Sequence, residues 1–206
     1  MGQVSETTKE RVAQQFYESD LLKFGEYVLK SGIVSPFYID LRKVQSHPET
    51  FHAVTDAYAE MIEDVDLSVL LAGVPEAGTP LASAVGYKTK RALVQPRKVV
   101  KDHGTKSAVE GDFEEGDRVI LVDDLITKGD SKHEAIKQVE DSGLVIEKFV
   151  VLVDREQGGL DVVRDAGYEI EAAFTITGLL DSLKQLGKID DERYEQVIKF
   201  IRTHYT

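Results

Sequence analysis

The sequence predicts an α/β protein with a central parallel sheet, helices on both of its faces and a small N-terminal hood. Three observations carry that expectation. Short, continuous apolar runs at Val69 to Ala72, Ala92 to Val94, Val119 to Val122 and Phe149 to Val153 have the composition of strands covered on both sides. Helical stretches near Leu81 to Tyr87, Ser131 to Ser142 and Leu160 to Ala166 alternate with them, as parallel strands joined by crossovers require. The segment before Pro48 has a different rhythm and reads as a separate cap on the sheet.

From the N-terminus, Thr7 and Glu10 form a capping pattern that opens a first helix. Glu26 to Leu29 and Phe37 to Leu41 read as strands joined through Lys30, Ser31 and Gly32, completing a hood over residues 1–46. Pro48 is well placed in a first helical turn, and Phe51, Val54, Tyr58, Met61 and Ile62 then recur at helical spacing, giving a helix with one buried face. It opens the core, residues 47–206. Pro96 to Gly116 is polar and aperiodic, and a stretch of that length marks a mobile functional loop. In the C-terminal segment Tyr194, Val197, Ile198 and Ile201 share one helical face, with Asp190 and Asp191 at the end where the helix dipole favours acids. No repeat and no Pro/Gly/Ser-rich linker divides the 206 residues, so a single domain is expected.

Composition narrows the function. Hydrophobic residues are 42% and charged residues 30%, too apolar for a disordered chain and too charged for a membrane protein. The N-terminus lacks the basic-then-apolar grammar of a secretory signal, so a cytoplasmic protein is expected. With no cysteine, disulfides, thiol nucleophiles and cysteine-ligated zinc drop out; with no asparagine, so does N-glycosylation. Acids outnumber bases by 37 to 25, and the resulting net charge of −12 repels nucleic acid at long range. A polyanionic ligand must therefore meet a local cluster of cations. Arg97, Lys98, Lys101, His103 and Lys106 form one, inside the aperiodic stretch. His47, His52, His133 and His204 are expected in ordinary surface or packing roles.

Val119 to Ser131, VILVDDLITKGDS, is a buried strand, two adjacent carboxylates, a turn with Gly129 and a helix capped by Asp130 or Ser131. In open α/β sheets ligands collect beyond the carboxyl ends of strands, where a loop and a helix N-terminus offer backbone N–H groups to an anion. Thr127 to Ser131 could wrap a phosphate. Asp123 and Asp124 point to opposite faces if the strand continues, and can accept hydrogen bonds from sugar hydroxyls. An acid-capped turn with no ligand is the other reading. The glycine-rich nucleotide motifs, G-x-S-x-G and H-E-x-x-H are all absent from the sequence.

VILVDDLITKGDS resembles the phosphoribosyl-pyrophosphate (PRPP) motif of type I phosphoribosyltransferases. LKFGEYVLKSGIVSPFYIDLR (Leu22 to Arg42), GVPEAGTPLA (Gly73 to Ala82), RKVVKDHGTKSAVEG (Arg97 to Gly111) and LVDREQGG (Leu152 to Gly159) are similar to the orotate phosphoribosyltransferase family, in the family's order. The resemblance implies the type I phosphoribosyltransferase fold with a hood and a flexible catalytic loop. It further implies transfer of the 5-phosphoribosyl group from PRPP to orotate, giving orotidine 5′-monophosphate and pyrophosphate in pyrimidine biosynthesis, with Mg²⁺ held mainly by PRPP and water. Carried over residue by residue, Leu125, Ile126, Thr127, Lys128, Gly129, Asp130 and Ser131 would bind PRPP, Thr127 to Ser131 holding its 5′-phosphate, and Asp123 and Asp124 would address the ribose, Asp124 nearest the developing positive charge. Arg97, Lys98, Lys101 and His103 match the catalytic loop that closes over PRPP and, in the family's homodimer, reaches the neighbouring active site; Lys101 and His103 would be catalytic together with Asp124. Val74 to Gly78 would form the pyrophosphate loop, with Ala77 where many bacterial members carry lysine. Lys30, Phe37, Tyr38, Thr127 and Arg155 would hold orotate, Phe37 and Tyr38 having simple hood packing as the other reading. Two rivals stand beside this: a regulatory PRPP-binding protein, and a transferase acting on a purine or on uracil.

Overall fold

A computed structural model describes residues 2–29, 32–97 and 108–205, with the side chains of Asp130 and Ser131 also outside the description. Helix α1 (Glu6–Glu18) is capped by Ser5, whose hydroxyl accepts from the Thr8 N–H at 3.3 Å; the cap lies two residues before the expected Thr7. Glu60 explains the difference, because its carboxylate accepts from the Ser5 N–H at 2.7 Å and the Thr8 hydroxyl at 2.6 Å and ties this end to a second helix. Strands β1 (Leu22–Val28) and β2 (Val34–Ile39) pair antiparallel and both begin earlier than expected; Leu41 opens a 3-10 turn, Leu41–Ser46, instead of ending a strand. Helix α2 (Pro48–Met61) follows with Pro48 in its first turn.

The main sheet is built from β3 (Leu70–Gly73), β4 (Leu93–Pro96), β5 (Val109–Glu110), β6 (Arg118–Ile126), β7 (Val145–Asp154) and β8 (Ile170–Thr175). Its order is β5-β4-β3-β6-β7-β8, parallel except for β5, which pairs antiparallel with β4. Helices α3 (Gly78–Thr89), α4 (Asp130–Glu140), α5 (Gly159–Asp165), α6 (Ile176–Gln185) and α7 (Asp191–His204) complete the chain. The four expected core strands and the helices between them are present. Strand β8 and helix α6 were not expected, and β5 lies within the stretch expected to be wholly aperiodic.

Alternation along the strands divides the core in two. Leu71, Ile120, Val122, Val150 and Leu152 face α1, α2, α6 and α7, while Leu70, Ala72, Val119, Leu121, Phe149 and Val151 join Ala135, Ile136, Val139 and Val163 of α4 and α5. Both faces are covered, which is why these strands read as unbroken apolar runs. Among the described residues no helix is long and apolar enough to cross a membrane.

The strand order fixes where a ligand can sit. From β3 the chain runs outward to β4, and from β6 it runs outward the other way to β7, so the loops beyond β3 and β6 diverge and leave a crevice between them. Backbone contact closes the floor of that crevice: the Val74 N–H donates to the Val122 carbonyl at 2.9 Å. A Cβ on Gly78 would lie 2.2 Å from the Val122 carbonyl oxygen and 3.2 Å from Asp123 Cα. Neither obstacle is a flexible side chain, so Gly78→Ala is expected to cost about 2 kcal/mol of stability; an unchanged denaturation midpoint would show that this loop is not seated on β6.

Candidate active site

The helix N-termini are finished in two ways. Ser5, Thr175 and Asp190 cap α1, α6 and α7 with their own side chains. Helices α3 and α4, which begin at the crevice, have Ala77 and Gly129 in that position. Gly129, at φ 88° in the left-handed region, is therefore the residue that turns the chain into α4, and Asp130 is already the first helical residue instead of a cap. The first N–H groups of α4 are left without an N-cap side chain, the arrangement that suits an anion. Leu125 and Thr127 are half-buried, Ile126 is buried and Lys128 is exposed.

Two adjacent carboxylates stand at the end of β6. Asp123 is buried and its carboxylate is ion-paired with the buried Lys132 ammonium of α4. Asp124, also buried, accepts from the Leu125 N–H at 2.7 Å. Burial first, and then the neighbouring Asp123 charge, push the Asp124 carboxyl up to about 7, with Lys132 acting in the opposite direction. The buried Tyr58 of α2 donates its hydroxyl to the Asp123 carbonyl at 2.5 Å. Its phenol is pushed up by burial and then by the charges of Asp124 and Asp123. Arg42, in the 3-10 turn, grips Asp40 at 2.7 Å, and the Asp40 pair, with a smaller part from Asp124, holds its guanidinium in the charged form.

The loop beyond β7 is locked to the same place. The Arg155 N–H donates to the Ile126 carbonyl at 3.0 Å. A Cβ on Gly159 would stand 2.4 Å from the Thr127 carbonyl oxygen, so only glycine lets the start of α5 touch the turn after β6. Arg155 projects its guanidinium between the rings of Phe37 and Tyr205, 5.8 Å from each centroid, and donates to the Tyr205 hydroxyl at 3.2 Å. Phe37 is buried and meets Phe200 of α7 edge-on at 6.1 Å. Tyr38, on the other face of β2, packs against Tyr27 at 5.5 Å and accepts from Arg42 at 3.4 Å.

Asp123, Asp124, Thr127, Gly129, Arg155 and Phe37 are thus brought to one end of the sheet. Arg97 is paired with Glu110 across the β4–β5 hairpin, and its backbone N–H donates to the Ala108 carbonyl at 2.9 Å. Lys30, Lys98, Lys101 and His103 lie outside the described residues. Three side chains with partners around this site carried no functional expectation from the sequence. Lys132 had a readable signal, a cation in the first turn of a helix where the dipole disfavours it. Tyr58 was assigned only to the core. Gln138 of α4 gave no signal, yet its amide donates to the carbonyls of both Arg97 at 2.5 Å and Ala108 at 2.8 Å.

No protein-family model matches the sequence. An orotate phosphoribosyltransferase of Pyrobaculum islandicum is 36% identical over 189 residues, covering 91% of this chain and 96% of that protein. The chain belongs to the orotate phosphoribosyltransferase family. The structure of Leishmania donovani UMP synthase matches with a TM-score of 0.83 and 32% identity, covering 97% of this chain and 43% of that one. The bifunctional enzyme PyrF/PyrE of Nostoc sp. is 37% identical over 180 residues, covering 87% of this chain and 38% of that protein. The chain spans about two fifths of the length of these two longer family relatives. Membership accounts for the sheet, its crevice and the β6 turn as parts of one type I phosphoribosyltransferase fold.

Proposed function

We propose that this chain transfers the 5-phosphoribosyl group of PRPP to orotate, forming orotidine 5′-monophosphate and releasing pyrophosphate, a step of pyrimidine biosynthesis. The observation that carries the reading is the junction of the β6 turn with Arg155: one end of the sheet offers both a phosphate-binding helix start and a guanidinium between two rings. The N–H groups from Thr127 to Ser131 hold the 5′-phosphate. Asp123 and Asp124 accept hydrogen bonds from the ribose hydroxyls, and the ionised Asp124 faces the positive charge that grows on the anomeric carbon as its bond to the diphosphate breaks. Val74 to Gly78 cradle the diphosphate, and Arg97, Lys98, Lys101 and His103 neutralise it as it leaves. Arg155 grips the orotate anion, with Phe37, Tyr38, Lys30 and Thr127 completing that pocket.

The donor set suits a metal carried by the substrate. Asp123 is engaged by Lys132, and Mg²⁺ commonly keeps several waters and takes phosphate oxygens in place of an all-protein cage. When bound, Mg²⁺ would supply charge neutralisation on the diphosphate. The same reading includes a homodimer in which the cationic segment serves the neighbouring active site, as the sequence resemblance implies, and a cytoplasmic setting.

The test is an assay of the protein with PRPP, Mg²⁺ and orotate, following the loss of orotate's ultraviolet absorbance. Consumption of orotate supports the reading. Consumption of adenine, guanine or uracil instead selects another transferase, and PRPP binding without turnover selects a regulatory protein. In the same assay Arg155→Ala should raise the KM for orotate by about 10- to 100-fold, the worth of a charge-assisted hydrogen bond, and change the KM for PRPP far less. An equal effect on both substrates removes Arg155 from the orotate pocket.

A further inference from the structure

Lys132 occupies a costly position. It is the third residue of α4, at the positive end of the helix dipole, and its ammonium is buried. What offsets burial and dipole is the Asp123 carboxylate, which reaches it from the neighbouring strand. Asp123 is held from a second side as well, since Tyr58 donates to its backbone carbonyl. Among the described residues, the titratable groups that face the two carboxylates are Lys132 from α4, Tyr58 from α2 and Arg42 from the 3-10 turn. Arg42 is occupied by Asp40, and Tyr58 is neutral, so Lys132 is the cation in contact with the pair.

We infer that Lys132 is a positioning residue for phosphoribosyl transfer: through its buried ion pair it orients the Asp123 carboxylate and places one positive charge beside the two adjacent acids, so that Asp124 can act as an anion next to Asp123 in a buried site. The inference rests on the reading that both carboxylates address the ribose. Burial and the Asp123 charge resist ionisation of Asp124, and the Lys132 charge opposes that resistance. Removing it makes the ionised form of Asp124 harder to reach, so the acid limb of the rate profile moves to higher pH.

The experiment compares the pH dependence of kcat/KM for PRPP in the parent, Lys132→Gln and Lys132→Arg; titration of PRPP itself is common to all three. Lys132→Gln keeps an N–H donor for Asp123 and drops the charge. Its acid limb is expected about 1 pH unit above the parent's, with activity recovering toward alkaline pH, while Lys132→Arg keeps the limb in place. A Gln variant that is slower at every pH with the limb unmoved reports a merely structural role and overturns the inference. Carbon-13 titration of the aspartate carboxyls in the parent protein needs neither substrate nor a folded variant. The Asp124 carboxyl should change ionisation near neutrality; one that is already ionised well below that range overturns the inference. A parent that consumes no orotate removes the functional reading instead, so the two failures are told apart.

Discussion

Asp124→Asn is expected to lower turnover by about two to three orders of magnitude and, at about pH 8, to make the protein more stable. Both effects come from one buried charge. Asparagine keeps the shape of the side chain and an oxygen to accept the Leu125 N–H, but offers no negative charge for the role proposed for Asp124, facing the sugar as its bond to the diphosphate breaks. The stability change follows from the carboxyl's position, pushed up to about 7 by burial and by Asp123. Because the folded state holds this proton more tightly than the unfolded chain, the parent loses stability as pH rises from about 4 to about 7 and stays at the lower level above. At alkaline pH the ionised form costs a few kcal/mol, on the order of 4, and asparagine removes that cost. The melting temperature of the variant should therefore exceed the parent's at about pH 8, and the gap should narrow as pH falls toward 5 and close below about 4. A constant gap across that range would mean that Asp124 is not the titrating group. Parent-like turnover would move it away from the reacting carbon.

This coupling of cost and use also marks what the sequence could and could not reveal. Strands β3, β4, β6 and β7 were legible because a strand covered on both faces must be apolar at nearly every position, and helices α2 and α7 because one face is buried and one solvated. Helix α6 was legible in principle: Ile176, Leu179, Leu180 and Leu183 have helical spacing, and Thr175 caps the helix. Its first residue follows β8 directly, so no turn signal separates the two elements. Strand β5 is only two residues long and exists through pairing with β4, a tertiary fact with no local signature. At the site, the VDD turn was legible as a candidate place for ligand chemistry, but the carboxylates' partners depend on how α2 and α4 are rotated against β6. That rotation brings Tyr58 to the Asp123 carbonyl and Lys132 to its carboxylate. Gln138 is a similar case, an ordinary helical residue until packing places its amide against two carbonyls at once.

The anchorage by Gln138 gives the second large effect its setting. Arg97 and Ala108, on either side of the run that contains Lys98, Lys101 and His103, are fastened to each other by the Arg97 N–H and to α4 by the Gln138 amide. They lie at the end of the β4–β5 hairpin, with β3 and its crevice loop next in the sheet. In a chain of net charge −12 this run concentrates cations where, on the proposed reading, a departing diphosphate needs them. Lys101→Ala is accordingly expected to reduce kcat by about two to three orders of magnitude, because an ammonium aimed at charge that develops only in the transition state acts on the rate more than on substrate affinity. The hydrophobic clusters are built from other side chains, so the melting temperature should stay within about 2 °C of the parent's. Lys101→Arg, which keeps the charge with different geometry, should recover part of the loss, and saturating PRPP should recover none of it in the alanine variant. If kcat were preserved and only the KM for PRPP rose, the lysine would be a ground-state phosphate ligand, and the neutralisation of the leaving group would fall to Arg97, Lys98 or His103.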